Sequence, residues 1–249
     1  GGPGAVFWMF VAGLFGMATK YGEAILAVKY RVKDAQGNMA GGPMYYLEHG
    51  LKQKWLGVLF AVFGALAAFG IGNGTQAKAV SDLMHDTFSI PAWVTGIALV
   101  IFAGLVILGG IKWIGRVTSY FVPFMAIFYI LAGLYVMIAN FQLVPDAIAT
   151  IFTHAFSGEA ALGGTIGAVI RYGVARGLFS NEAGMGSAPI AAAAAKTDLP
   201  GRQALVSMVQ VLFDTLIICM ITGITIVMSG LWEDKSIEAG VLTSAAFEQ

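Results

Sequence analysis

Residues 177–189 read Gly177-Leu178-Phe179-Ser180-Asn181-Glu182-Ala183-Gly184-Met185-Gly186-Ser187-Ala188-Pro189, inside an otherwise apolar stretch that runs from 163 to 195. The residues before Gly177 read as helix. Ala191–Ala195 are five strong helix formers. Between the two lie three glycines and the cap-type residues Ser180, Asn181 and Ser187, and Pro189 stands where a new helix can begin. The pattern predicts a helix broken near 178–186, at mid-membrane depth. Unwound backbone at that depth is tolerated only when buried in protein or lining a wet cavity. Half-helix ends then carry charge without a side chain. Carbonyls suit Na⁺ or an ammonium group, and amides suit a carboxylate. The competing reading is that the glycines serve only close helix packing. It explains Gly177 and Gly184, and explains the Ser-Asn-Glu run less well.

The composition fits a lipid setting. Of 249 residues, 58% are hydrophobic and 11% are charged, and mean hydropathy is +0.79. A soluble domain carries roughly 25% charged residues. Net charge is zero, so nothing points to nucleic acid. The single cysteine, Cys219, excludes an internal disulfide or a cysteine metal cluster. His49, His85 and His154 are too dispersed for a zinc site. The Gly70-x-Gly72-x-Gly74 pattern lacks the strand–turn–helix setting of a dinucleotide loop, and no Walker motif is present. No histidine lies in a span to activate a serine, which disfavours hydrolysis. Both ends of the chain read as cut points.

Six segments satisfy the length of about 20 apolar residues that a spanning helix needs: 4–29, 55–81, 92–112, 117–140, 163–195 and 204–231. The stretch Leu143–Phe156 is shorter and reads as an interfacial helix. Lys and Arg are present in the connections 30–54, 113–116 and 196–203, or at their edges, and absent from 82–91 and 141–162. The tail after the last span has Lys235 against Glu233, Asp234 and Glu238. The alternation puts the three basic loops in the cytoplasm.

Ionisable groups inside spans are few and expensive. They are Lys20 and Glu23 in the first, Lys78 in the second, Arg171, Arg176 and Glu182 in the fifth, and Asp214 in the sixth. Asn73 and Gln76, three apart, share a helix face. They make either a polar patch on a cavity or an interhelical hydrogen bond. Asp214-Thr215 offers oxygens to a cation. The alternative is a buried carboxylate paired with a span arginine.

Three shorter motifs join the long one in order: Gly2-Pro3-Gly4-Ala5-Val6-Phe7-Trp8-Met9, Gly16-Met17-Ala18-Thr19-Lys20-Tyr21, and Gly41-Gly42-Pro43-Met44-Tyr45-Tyr46. With Gly177–Thr197 they give a chain that resembles the sodium:alanine symporter family, the alanine-or-glycine:cation symporters. The resemblance implies an all-α membrane protein with a LeuT-like fold of two inverted repeats. The six spans then correspond to core helices two to seven of a single transporter domain. Core helix one and those from eight onward lie outside residues 1–249. It implies no enzyme and no cofactor. Na⁺ is the coupling ion, and the cargo is a small neutral amino acid carried across the inner membrane. By position, Gln76, Phe179, Ser180, Asn181, Gly184 and Met185 look like substrate contacts, with Phe179 and Met185 bounding a small cavity. Asn181, Asp214 and Thr215 look ion-linked. Glu182 is expected to pair with Arg171 or Arg176. An ion channel and a non-transporting amino-acid receptor on the same fold are the alternative functions.

Overall fold

A computed structural model describes residues 2–70, 72–156, 166–234, 236–237 and 240–248. The start of the expected fifth span, 163–165, and Lys235 and Glu238 of the tail lie outside the described residues. The chain is mostly helical. Its helices are α1 (Gly4–Lys29), α2 (Pro43–His49), α3 (Lys54–Gly70), α4 (Gly74–Phe88), α5 (Ala92–Ile107), α6 (Gly110–Ala139), α7 (Val144–Phe156), α8 (Ile166–Asn181), α9 (Ala188–Ala193), α10 (Pro200–Val211), α11 (Met220–Ser229) and α12 (Leu242–Phe247). A π-helical stretch, Leu212–Cys219, joins α10 to α11. Strands β1 (Val32–Lys33) and β2 (Met39–Ala40) form a small antiparallel hairpin. Asp34 Oδ1 holds its turn by accepting the N–H groups of Gln36 and Asn38.

Among the described residues, four helical stretches are long and apolar enough to cross a membrane: Gly4–Lys29, Lys54–Phe88, Gly110–Ala139 and Pro200–Ser229. Three of the six expected spans come out differently. The second is divided into α3 and α4, with a turn at Gly72 and Asn73. The third ends at Ile107, giving α5 only 16 residues, because Gly109 and Gly110 interrupt the apolar run. The fifth is divided into α8 and α9.

The chain forms two compact units, residues 1–65 with 147–223 and residues 66–146 with 224–249. In the second, α4, α5 and α6 pack in sequence. They bury almost none of their apolar surface within the chain: Phe102, Phe124 and Phe128 are all exposed. In water such a surface would drive association; against lipid it costs nothing.

The first unit is built around α1, which packs on α8, α9, α10 and the π stretch. Small residues set the approach. Ala24, Ala27, Ala192, Ala193 and Ala204 form an alanine core between α1, α9 and α10. Gly177 lies against Ala12 and Met9 of α1, a packing of the small-residue type. Trp8 Nε1 donates to the Ala155 carbonyl at 3.0 Å, and Phe7, Trp8, Phe152 and Phe156 form an aromatic cluster between α1 and α7.

Arg31, just past α1, caps the C-terminal side of α9. Its guanidinium donates to the carbonyls of Ala193 (3.1 Å), Ala195 (2.7 Å) and Thr197 (2.7 Å), and to Asp198 at 3.0 Å. The Asp198 carboxylate is almost fully exposed, so that ion pair adds little. The three carbonyls carry the interaction. Arg31→Ala is expected to lower unfolding free energy by about 2–4 kcal/mol, measured by denaturant titration of the purified protein in detergent. Arg31→Lys should recover only part of it, because an ammonium group lacks the planar fork.

Candidate functional site

Three parts of the first unit converge: α1, the segment between α8 and α9, and the π stretch. Helix α8 stops at Asn181 because Asn181 Oδ1 accepts the N–H of Ala183 at 2.9 Å, diverting an amide from the helix. Glu182 follows in the left-handed region, φ 56°, with its N–H still bonded to the Leu178 carbonyl at 2.8 Å. Gly184 (φ 83°) and Gly186 (φ 80°) repeat that conformation. The N–H of Met185 turns back to the Glu182 carbonyl at 3.3 Å. Ser187 Oγ donates back to Glu182 Oε2 at 2.7 Å and closes the segment. The two glycines are required for different reasons. A Cβ on Gly184 would meet nothing nearer than Thr19 Cγ2 at 3.7 Å, so only the backbone angle demands glycine. A Cβ on Gly186 would also collide with the Phe60 ring at 2.6 Å.

Helix α1 brings Lys20 and Glu23, three residues apart and on one face, to this segment. Lys20 is 2% exposed. Its Nζ donates to the Asn181 carbonyl at 2.5 Å, and Glu182, Glu23 and Asp214 lie within electrostatic reach. Glu23 Oε2 is buried with no hydrogen-bond partner among the described residues. Helix α1 thus sets a cation on the carbonyl at the end of α8 and brings a carboxyl group close behind it. Gly16, four residues before Lys20, makes room: a Cβ there would lie 3.1 Å from Asn181 Nδ2. That Nδ2 is itself buried with no partner among the described residues.

The third part is a hydroxyl–carboxylate cluster. Asp214 Oδ2 accepts Ser180 Oγ at 2.5 Å and Thr215 Oγ1 at 3.2 Å. Ser180 Oγ also lies 3.1 Å from Cys219 Sγ. Thr215 is fully buried. Gly13 lets the π stretch settle on α1, since a Cβ there would lie 2.8 Å from Leu216. A carboxylate with two hydroxyls is an oxygen-rich donor set that suits a hard cation.

The expected site residues are therefore partly assembled. Ser180, Asn181, Gly184, Asp214 and Thr215 come together around Lys20 and the break. Phe179 and Met185 are 36% and 42% exposed among the described residues, and Arg176 lies over the Phe179 ring at 5.7 Å. Gln76 sits on α4, in the second unit, exposed, with Oε1 accepting Thr75 Oγ1 at 3.0 Å. Asn73 is the residue before α4, outside the helix face it was expected to share. The expected pairing of Glu182 with Arg171 or Arg176 does not form. Those arginines are exposed and turn onto the rings of Tyr172 and Phe179, while Glu182 takes Ser187. Asp214 is held by hydroxyls, with no arginine ion pair among the described residues. Sequence reasoning noted Lys20 and Glu23 as costly charges but gave them no place in the site. Their spacing of three, with Gly16 four before Lys20, was the available signal.

Four apolar helical stretches of spanning length among the described residues mark a multi-pass membrane protein. Comparison with known proteins agrees. The profile of the sodium:alanine symporter family matches residues 1–249, and the chain belongs to that family. It is 57% identical to "Sodium/alanine symporter AgcS" of Methanococcus maripaludis over 93% of this chain and 52% of that protein. Two Bacillus subtilis proteins are also similar. "Amino-acid carrier protein AlsT" is 42% identical over 92% of this chain and 49% of its own length. "Probable sodium/glutamine symporter GlnT" is 40% identical over 99% and 51%. The chain spans about half the length of the curated relatives it matches.

Two predictions follow from this geometry. Gly184→Ala is expected to cost about 1 kcal/mol, the left-handed penalty alone. Gly186→Ala should cost at least about 1 kcal/mol more through collisions with Phe60 and Pro43, and Phe60→Ala in the same chain should remove only part of that excess, since Pro43 Cγ would still lie 2.8 Å from the new Cβ. Tyr46, on α2, has its phenol pushed up to about 12 from 10.0, first by burial and then by the negative charge of Glu23. A raised folded pKa means the stability from the neutral phenol is complete below pH 10 and is lost as pH rises through 12. Tyr46→Phe should flatten that loss in thermal unfolding measured across the window.

Proposed function

We propose that the intact protein carrying this chain is a sodium-coupled symporter for a small neutral amino acid, alanine or glycine, working by alternating access. Residues 1–249 are then part of one transporter domain with a LeuT-like fold. Helix α1, the α3–α4 pair, α5, α6, the α8–α9 pair and the α10–α11 stretch stand as core helices two to seven. The protein resides in the cytoplasmic membrane with 30–54, 113–116 and 196–203 inside. Na⁺ is held at Asp214 and Thr215, with Asn181 beside them. The substrate is met by Ser180, Asn181, the bare backbone at Gly184, Phe179 and Met185, and by Gln76. No other metal and no cofactor takes part.

The observation that carries this reading is the bond between Ser180, at the end of the broken helix, and Asp214 on the π stretch. It supports a cation site there, since it joins a carboxylate and hydroxyls to unwound backbone at a π stretch, an element often found at functional sites. Family membership supports the same class of activity. A relative named for glutamine makes cargo size a question for measurement.

The test is radiolabelled alanine and glycine uptake into proteoliposomes, with and without a Na⁺ gradient, with D-alanine and glutamine as competitors. Saturable uptake driven by the gradient is expected. Uptake indifferent to Na⁺ overturns the coupling, large single-channel currents make the protein a channel, and binding without accumulation makes it a receptor. Asp214→Asn should raise the Na⁺ concentration for half-maximal uptake by about tenfold or more, since a charged contact is worth about 1.5–3 kcal/mol. Asn181→Ala and Gln76→Ala should each reduce uptake with membrane insertion intact. Wild-type uptake from all three removes the site assignment.

A further inference from the structure

We propose that Lys20 is the resident cation of the broken helix: its ammonium group is built onto the Asn181 carbonyl at the end of α8, in the place that a Na⁺ ion or the ammonium group of a cargo would otherwise take. This goes beyond the proposed transport activity and does not depend on the identity of the cargo. The last carbonyls of a helix have no partner within it and lie at the negative end of its dipole. Lys20 Nζ donates to that carbonyl at 2.5 Å, across 161 positions of sequence. A lysine toward the end of a span can carry its ammonium group along its stem to the lipid headgroups. Lys20 is instead 2% exposed, turned into the protein against bare backbone.

The surroundings of the bond fit this role. Among the described residues no carboxylate lies within ion-pair distance of Lys20, so its ammonium group meets a peptide group first and not a charged side chain. Asn181 is itself buried, and its Oδ1 accepts the Ala183 N–H at 2.9 Å. Two groups thus hold the two sides of the point where the helix stops: the lysine takes the carbonyl, and the asparagine side chain takes the amide beyond it. Gly16, about one turn before Lys20 on the same face of α1, lets the helices come this close, since a Cβ there would lie 3.1 Å from Asn181 Nδ2. A tethered ammonium group has no translational freedom to lose on binding, so it outcompetes a dissolved cation for the same carbonyl. Once in place, its charge repels a second cation. Lys20 is a positioning residue in this scheme, acting on a cargo only through the backbone it fixes.

The experiment is thermal unfolding of the purified intact protein in detergent, without substrate and in choline chloride, for wild type, Lys20→Met and Lys20→Ala. Lys20→Met keeps the bulk of the stem and removes the charge. Its midpoint should fall by about 3 °C or more, through loss of a charge-assisted hydrogen bond. Lys20→Ala leaves a space shaped like the missing stem. n-Propylammonium, which matches the atoms lost beyond Cβ, should raise the midpoint of that variant saturably toward wild type. 1-Propanol, of similar length without the charge, should not, and neither should tetramethylammonium, a cation with no N–H to donate. Each effect is read against the same addition to wild type, whose place for an ammonium group is already filled. A Lys20→Met midpoint equal to wild type overturns the proposal. So does a Lys20→Ala protein that propylammonium leaves unrestored, whether or not it folds alone. Equal recovery with 1-propanol or tetramethylammonium overturns it too, because filling a void or adding salt gives that result. These readouts need no transport, so their failure is separate from a failure of Na⁺-driven uptake.

Discussion

A helix that stops and restarts among apolar neighbours leaves peptide groups that must find partners, and most of the first unit is arranged around that requirement. Each buried N–H or C=O left unmade costs about 1–3 kcal/mol. The break between Asn181 and Ala188 exposes several at once. Asn181 satisfies one amide with its own side chain. Lys20 takes the carbonyl of the same residue. Ser187 closes onto Glu182. All the outside help comes from a single face of α1. That helix must therefore lie close, and the closeness explains its composition. Gly13 and Gly16 on α1, and Gly177 on α8, are places where a methyl group would meet a neighbour at 3.1 Å or less.

The second half of the broken helix depends on the same neighbourhood. At six residues, α9 is far too short to hold itself together. Its C-terminal carbonyls are collected by Arg31, and its start is wedged by Gly186 against Phe60 and Pro43. Gly41 and Gly42 let the loop between β2 and α2 press on Ala193 and Ile190. The Gly41–Tyr46 motif is thus the mould in which α9 sits. Residues 30–46, α9 and the break share one set of contacts, so a shift in one is felt in the others.

This division explains what could be read in advance. The break was legible because its causes are local: cap residues, left-handed glycines and a proline at a helix start each act within a few positions. The packing explanation and the unwinding explanation turned out to apply to different glycines. Gly177 meets a neighbouring helix and Gly184 meets a backbone angle. Partnerships were not legible. Lys20 and Asn181 are 161 positions apart, and a sequence shows that a buried charge needs a partner without showing which. Glu182 was expected to pair with Arg171 or Arg176, whereas its side chain takes Ser187 beyond the left-handed turn. The π stretch left no mark at all, since its extra residue per turn is accommodated by Gly13 on another helix. Gln76 was placed by position in a family pattern, and the structure puts it on an exposed face of the second unit.

Ser180 joins the two chemistries of the site, and its hydroxyl has only one proton to give. In this structure the proton goes to Asp214 Oδ2, at 2.5 Å. A cation bound at that same oxygen would repel the proton and require the hydroxyl to turn, offering its lone pairs to the ion and its proton elsewhere, with Cys219 Sγ the neighbour at 3.1 Å. Ser180 is the penultimate residue of α8, next to the Asn181 carbonyl that Lys20 holds. A cation at Asp214 would therefore act on the shape of the break. A cation can shift a conformational equilibrium only by as much as it distinguishes the two states. Here the distinguishing element is a single hydroxyl bond at the point where the helix ends, backed by a lysine that fixes the carbonyl of the next residue.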